Sequence, residues 1–437
     1  MRIKASHVAL VTSGTLVGND VEASGLSFDS RAIKPGVGFV AIVAERDGND
    51  FVDSAASKGA AFAIVSRGRS SDALPCIEVD DTTAALAVLG RALQDQLRAQ
   101  SLKHVVGITG SAGKTTTKNF VRAVLQAGFS SVYASEASLN NDIGVPVTIA
   151  DAPDDVEALV IEMGMRGFHE IDRLCGIAAP NIGIVTNVGD AHGDRVGGPD
   201  GIAVAKGELI ASLPADGIAV LNADDFRVNA MASLTAARVI TFGAGENANV
   251  RYEIAETDED GRCTAVFTFE NQTATGTPML PGEHMVVNAA AALAAGLACG
   301  MSLATAAKGI GREELETGRM CWLEAVNGLR ILDDSYNANE HSMLAALQVI
   351  ADLQVRTRFA VLGAMAEVAD SEQAHRRVAD FATAHKITVI GLETDLYGTP
   401  ALSLEEVLKE LAFHHPHVVL VKGSRSAKTE RVVHELI

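Results

Sequence analysis

The segment VVGITGSAGKTTTKNF (105–120) has the residue types and spacing of a phosphate-binding turn. An apolar strand runs into Thr109 and Gly110, a turn follows through Ser111, Ala112 and Gly113, and Lys114-Thr115-Thr116 opens a helix. Backbone N–H groups of such a turn, together with the helix N-terminus, form a concave positive site for phosphate oxygens. Lys114 would reach the terminal phosphates and the Thr115 hydroxyl would face Mg²⁺, which makes ATP the expected ligand. The spacing departs from the usual G-x-x-x-x-G-K-[ST], because position 108 is Ile and the glycines stand at 107, 110 and 113. A ligand-free glycine turn would explain the glycines, but Gly-Lys-Thr-Thr after a buried strand has no packing reason. Glu162 is the second candidate. It ends the apolar run VEALVIEM, where a carboxylate at a strand's carboxyl end can reach a second Mg²⁺. Without the phosphate turn it would read as an exposed strand-end charge.

These residues need a parallel sheet to hold them. From His104 onward, the strand-like runs VVGITG, VEALVIEMG (156–164), NIGIVTNVG (181–189) and GIAVLN (217–222) alternate with helical stretches at 118–128 and 201–213. That alternation predicts a mainly parallel sheet with ligands at the carboxyl ends of its strands. A polar insert at 250–270 reads as antiparallel, and an Ala-rich helix after Gly282 closes the region. Before it, GVGFVAIV (36–43) and AAFAIVSR (60–67) flank a short helix at 50–59, and a long helix at 82–100 leads out of this small α/β unit. After about residue 312 the pattern restarts with GLRILDDS, RFAVLGAM, ITVIGL and HVVLVKGS, separated by helices such as 342–353. The expected organisation is α/β throughout, in three domains: a small N-terminal unit at 1–98, a central phosphate-loop ATPase-type parallel sheet at 99–311, and a Rossmann-like unit at 312–437.

Composition narrows the partners. The 437 residues carry a net charge of -19 and only 4% aromatic side chains, so a nucleic-acid backbone would be repelled and few rings are present to stack on bases. Hydrophobic residues at 48% and charged residues at 21% are those of a folded chain. The five cysteines are far apart, with no C-x-x-C pair, which fits a reducing compartment. No apolar run approaches the ~18–20 residues of a membrane span, and the N-terminus reads as a strand and turn instead of a signal peptide. A soluble cytoplasmic protein with no membrane insertion is expected.

The TGSAGKTTTK form of the loop resembles the Mur ligase family. FDSRAIKPGVGFVAI (28–42), SLNNDIGVPVTI (138–149), IEMGMRGFHEI (161–171), TNVGDAH (186–192), AKGEL (205–209), NADD (222–225), DDSYNANEHSM (333–343) and VLVKGSRS (419–426) follow in the family's order. Within the family, these segments are most similar to the branch that joins D-alanyl-D-alanine to a UDP-N-acetylmuramoyl tripeptide. The resemblance implies a three-domain enzyme of peptidoglycan precursor synthesis that uses ATP and Mg²⁺. It implies an acyl phosphate formed on the substrate carboxylate and then attacked by an amine. By analogy a monomer is expected, with the third domain swinging in over the nucleotide.

The resemblance also implies residue roles. Lys114, Glu162, His192 and Lys206 would form the catalytic group, with Thr115, Glu162, His192 and Lys206 placing metal. In relatives the lysine matching Lys206 carries a carbamate, which needs a dry site and a lowered pKa; otherwise it is a helix-surface lysine. Asn288 would read the adenine edge, as Asn140 could, the latter also counting among the substrate contacts. Arg319, Asp334, Tyr336 and Asn337 would contact the nucleotide's phosphates and ribose. Ser30 and Arg31 fit a UDP diphosphate or sugar contact, with helix capping at Asp29-Ser30 the competing explanation. Lys422, Ser424 and Arg425 could hold the incoming dipeptide's carboxylate, or form a solvated strand end.

Three positions depart from the family pattern. Gly363-Ala364-Met365 lacks the usual aspartate, Met285 stands where an asparagine is typical, and Gly193-Asp194 replaces a hydrophobic-glutamate pair. These changes bear on the amino substrate more than on ATP use. They leave open a ligase for a different amine or another carboxylate, and a non-catalytic ATP-binding homologue.

Overall fold

Alternate residues of the central strands face two different cores. Val106, Ile108, Val160, Ile184 and Val220 pack on one face of the sheet, and Val105, Leu159, Ile161, Val185 and Leu221 on the other. Strands buried on both faces belong in a parallel sheet covered by helices on each side, and such burial stabilises by roughly 1.5–3 kcal/mol per large aliphatic side chain. The computed structural model describes residues 1–136, 138–189, 196–366, 368 and 370–437.

The central sheet has nine strands. From one edge they are Gln272–Gly276, Cys263–Phe269, Val250–Thr257, Arg238–Gly243, Ile218–Asn222, Ile182–Val185, His104–Thr109, Ala158–Glu162 and Val132–Ala134. The polar segment expected at 250–270 is antiparallel, but it does not stand apart. Its first strand pairs parallel with Arg238–Gly243, so the hairpin extends the main sheet. His104–Thr109 lies between strands that come later in the chain, Ala158–Glu162 on one side and Ile182–Val185 on the other. The connection direction reverses there, which opens a crevice at the carboxyl ends of the strands. Helix Lys114–Gln126 leaves from that point and packs against Glu283–Ala298. In the latter every residue from Ala289 to Ala295 is fully buried. Small side chains let the two helices and the sheet approach closely.

The N-terminal five-stranded sheet runs Thr15–Val17, Cys76–Val79, Ala63–Ser66, Gly38–Val40, Leu26–Ser27, with only the first strand antiparallel. Helix Thr82–Gln100 starts at Asp81, whose carboxylate accepts the N–H groups of Thr83 and Ala84. It carries buried Leu86, Leu89, Leu93 and Leu97 at helical spacing and lies against helices Gly144–Asp151 and Glu170–Ala178. A Cβ at Gly90 would sit 2.5 Å from Pro146 Cβ, so this crossing requires glycine. Arg91 and Arg98 donate to the carbonyls of Gly176 and Ala179, closing the C-terminal end of the helix they meet.

The third sheet has six strands in the order Cys321–Glu324, Arg330–Asp334, Val418–Lys422, Arg358–Leu362, Ile387–Leu392, Ala401–Leu402. The four strands read from the sequence are its contiguous parallel centre. Among the described residues, no helix is long and apolar enough to cross a membrane.

Candidate active site

A cavity of about 950 Å³ opens at the carboxyl ends of the central strands and is walled on its far side by the third sheet. It is lined by Ser111 to Thr116 of the phosphate turn, by Asn140, Glu162, Lys206 and Asn288, and by Arg319, Asp334, Tyr336, Asn337 and Lys422 of the third unit. The structure therefore brings together most of the residues singled out from sequence.

The turn has the backbone that phosphate binding needs. Gly113 takes φ 78°, and a Cβ at Gly110 would overlap the Thr186 hydroxyl at 1.8 Å. The loop after strand Ile182–Val185 braces it from outside. Asn187 accepts from the N–H groups of Ser111 and Ala112, the Thr186 hydroxyl donates to the Ala112 carbonyl at 2.8 Å, and Gly189 N–H donates to Ser111 Oγ at 2.9 Å. Asn222 and Asp225 hold that bracing loop in turn. The roles of Thr186, Asn187, Asn222 and Asp225 were not read from the sequence, although TNVG and NADD marked their positions. Lys114 Nζ lies over the turn, 2.8 Å from the Gly110 carbonyl.

Glu162 is 1% exposed, and both its carboxylate oxygens are engaged. Oε2 accepts from the Thr115 hydroxyl at 2.7 Å and Oε1 from Asn140 Nδ2 at 2.8 Å. A hydroxyl and a carboxylate side by side at a phosphate turn are hard oxygen donors, the set that suits Mg²⁺ shared with phosphate oxygens and water. Asn140 thus orients Glu162. Asn288 Oδ1 accepts from the Thr117 hydroxyl at 3.1 Å, at the inner end of the same helix.

Lys206 is 2% exposed and forms no hydrogen bond or ion pair among the described residues. Burial, with the Lys114 charge adding, pushes its ammonium well below the ordinary lysine range. The surface-lysine alternative is excluded. His192 lies outside the described residues.

From the third unit, Arg319 places its guanidinium 4.1 Å over the Tyr336 ring, and the Tyr336 hydroxyl meets Ser138 Oγ at 2.7 Å. Both already line the cavity, and the Ser138 contact was not foreseen. Asp334 and Lys422 form a buried ion pair, and Lys422 Nζ also donates to the Asn337 carbonyl at 2.9 Å. Burial pushes the Asp334 carboxyl up, against the pull of Lys422. The Asn337 side chain turns back on its own chain, accepting Ala338 N–H.

Two sequence expectations need correction. Lys422, Ser424 and Arg425 do not form one carboxylate-binding cluster. Lys422 is committed to Asp334, Ser424 Oγ donates to the Ala364 carbonyl at 2.6 Å, and Arg425 is exposed, 3.5 Å from Glu430. The second is the helix-capping alternative at Asp29-Ser30: no helix starts beside Ser30 and Arg31, which lie outside this cavity. Asp29 instead accepts the backbone and side-chain N–H groups of Arg31, forming an exposed Asx turn.

Comparison with known proteins agrees with this geometry. The Mur ligase middle domain matches residues 108–296, and the Mur ligase glutamate ligase domain matches 318–435. The UDP-N-acetylmuramoyl-tripeptide–D-alanyl-D-alanine ligase of Escherichia coli K12 is 33% identical, over 99% of this chain and 98% of its own. The UDP-N-acetylmuramoylalanyl-D-glutamyl-2,6-diaminopimelate–D-alanyl-D-alanyl ligase of Acinetobacter baumannii superposes with TM-score 0.87 at 29% identity, covering 100% of this chain and 98% of that one. The MurF ligase of Thermotoga maritima, solved with ADP, gives TM-score 0.79 at 26% identity over 94% and 96% of the two chains. The two family matches together span well over half of the chain and the relatives align along almost its whole length, so the chain belongs to the Mur ligase family of enzymes.

Proposed function

We propose that the chain joins D-alanyl-D-alanine to the free carboxylate of a UDP-N-acetylmuramoyl tripeptide, with ATP converted to ADP and phosphate, in peptidoglycan precursor synthesis. The observation that carries this reading is the convergence of Lys114, Thr115, Glu162 and Arg319 on one cavity of about 950 Å³, a size that suits a nucleotide. The substrate carboxylate oxygen attacks the γ-phosphorus, the bond to ADP breaks, and an acyl phosphate forms. The amine nitrogen then attacks the acyl carbon through a tetrahedral intermediate, phosphate leaves with the former carboxylate oxygen, and the nitrogen gives up a proton.

Two anions must meet in the first step, so the site has to concentrate positive charge. Lys114 holds the β- and γ-phosphates, Arg319 reaches them from the third unit, and the backbone N–H groups of 113–116, at the open N-terminus of the helix, cradle them. Asn288 serves the base, and Tyr336 and Asp334 border the ribose and phosphate. Thr115 and Glu162 would hold Mg²⁺, which supplies neutralisation of phosphate charge. His192 joins them on the family match alone. Lys206, buried at the cavity wall and with no hydrogen bond or ion pair among the described residues, suits reaction with CO₂ to a carbamate, which would turn a costly buried cation into an anion beside the metal. Domains at 1–98, 99–311 and 312–437, a cytoplasmic location and a monomeric state complete this reading.

A second reading, transfer to a different amine, is favoured by Ala364. Its carbonyl accepts the Ser424 N–H and hydroxyl, and position 364 itself brings no carboxylate to meet an incoming ammonium. Phosphate release from ATP and Mg²⁺ with UDP-muramoyl tripeptide, with and without D-Ala-D-Ala and with other amines, tests both. Release that requires both named substrates supports the first reading. Release only with another amine moves the specificity, and no release with any acceptor favours a binding protein.

A further inference from the structure

Glu316 stands where the central unit passes into the third, two residues before the first residue matched by the glutamate ligase domain. Its carboxylate touches both units. Oε1 accepts from Asn119 Nδ2 at 3.0 Å and Lys118 Nζ at 3.4 Å, both on the helix that begins at the phosphate turn. Oε2 accepts from Arg319 Nε at 3.2 Å. The backbone adds to this, since the Glu316 carbonyl accepts Arg319 N–H at 3.2 Å and the Cys321 thiol at 3.3 Å. Burial alone would push the Glu316 carboxyl up. The Asn119 hydrogen bond and the Lys118 and Arg319 charges outweigh it and hold the group ionised, below the usual glutamate range.

Arg319 gives Glu316 only its Nε–H among the described residues, and its guanidinium plane rests on Tyr336. The two terminal nitrogens are thereby left for a ligand in the cavity that the side chain lines. An arginine tethered at Nε and stacked on one face has lost most of its rotational freedom before a ligand arrives, so less entropy is lost on binding. The tether begins on the same helix whose first turn would hold the phosphates. Displacement of that helix therefore carries Arg319 with it.

We propose that Glu316 is a positioning residue that registers Arg319 against the phosphate-turn helix, so that the third unit presents its arginine at the triphosphate. The proposal rests on the reading of Arg319 as a nucleotide-phosphate contact. Nothing in the family resemblance assigned a role to Glu316, Lys118 or Asn119.

The test is a double-mutant cycle on the full chain, reading kcat and KM for ATP in acceptor-dependent phosphate release. Glu316→Gln should lower kcat/KM for ATP about tenfold, and in an Arg319→Ala background it should cause no further loss, because its effect runs through Arg319. An equal loss from Glu316→Gln in both backgrounds would show a structural role and overturn the proposal, as would wild-type kinetics for Glu316→Gln. Should the neutral variant fail to fold because a negative charge beside buried Lys118 is lost, Glu316→Asp keeps the charge while withdrawing the carboxylate from Arg319. The same disappearance of its effect in the Arg319→Ala background is then expected, and a loss that persists there overturns the proposal. Arg319→Ala alone with wild-type kinetics would refute the phosphate-contact reading itself, a result distinct from either pattern for Glu316.

Discussion

The Thr115 hydroxyl donates to the Glu162 carboxylate across 2.7 Å, tying the first turn of the phosphate helix to the end of the neighbouring strand. This pair separates structure from chemistry. In Glu162→Gln the amide nitrogen can donate to Thr115 Oγ1 while the amide oxygen keeps the Asn140 hydrogen bond, so the local geometry survives and only the charge is lost. The expected outcome is ADP binding close to wild type in the presence of a chelator, measured calorimetrically. Mg²⁺-dependent phosphate release should fall by roughly 10²-fold or more. Wild-type release in this variant would remove Glu162 from the metal site.

Lys114→Ala should fold normally, because the side chain lines the cavity instead of the core, and its hydrogen bond to the Gly110 carbonyl stays within the turn. Removing the cation nearest the γ-phosphate should cost about 10²–10³-fold in turnover. Circular dichroism and phosphate release on the same preparation would check both halves, and near-normal ATP turnover would refute the loop assignment.

The phosphate turn was legible because its chemistry is local: Gly110, Gly113, Lys114 and Thr115 fall within six residues of one another. The strands were legible because parallel strands buried on both faces are continuous apolar runs. Strand Arg238–Gly243 went unread, since its burial is incomplete and nothing nearby marks it functionally. What the sequence hid is pairing at long range. Lys422 looked like a strand-end cation available to a substrate, but the parallel register sets it directly beside Asp334, 88 residues earlier, and the two neutralise each other. Ser138 meets Tyr336, and Glu316 meets Lys118, each across 198 residues. No periodicity carries such information. Only the packing of the third sheet over the cavity creates those contacts.

Lys206 is held in the fold at a cost. A buried ammonium with no hydrogen bond or ion pair among the described residues disfavours folding wherever the unfolded chain can keep it protonated, so Lys206→Met, of similar shape and no charge, should stabilise the protein by roughly 1–3 kcal/mol in urea unfolding. The sign follows from the depressed folded pKa. The native state's disadvantage is absent above the ordinary lysine value and grows as pH falls below it. Activity should be lost in the same variant. A destabilised Lys206→Met would mean that the wild-type side chain is already compensated, and an unchanged native mass under added CO₂ would count against carbamylation.

His284 supplies the remaining test, in the acid range. Burial, with the charges of His341 and Lys422 adding, holds its imidazole at about 4, below the ordinary 6.5. The folded protein therefore keeps His284 neutral while the unfolded chain takes up a proton there. Its contribution to stability is fully present above 6.5 and is lost as pH falls toward 4. The shift corresponds to roughly 3 kcal/mol at most, and less here because the side chain borders the cavity and water screens it. Urea unfolding near about pH 7 and near about pH 4.5 should show wild type losing more stability than His284→Gln between the two, by about 1–2 kcal/mol. The carboxylates that titrate in the same window are common to both proteins and cancel in the difference. Equal losses would mean that His284 takes up its proton as readily in the folded chain as in the unfolded one, and that the cavity wall at this point is wetter than its packing implies.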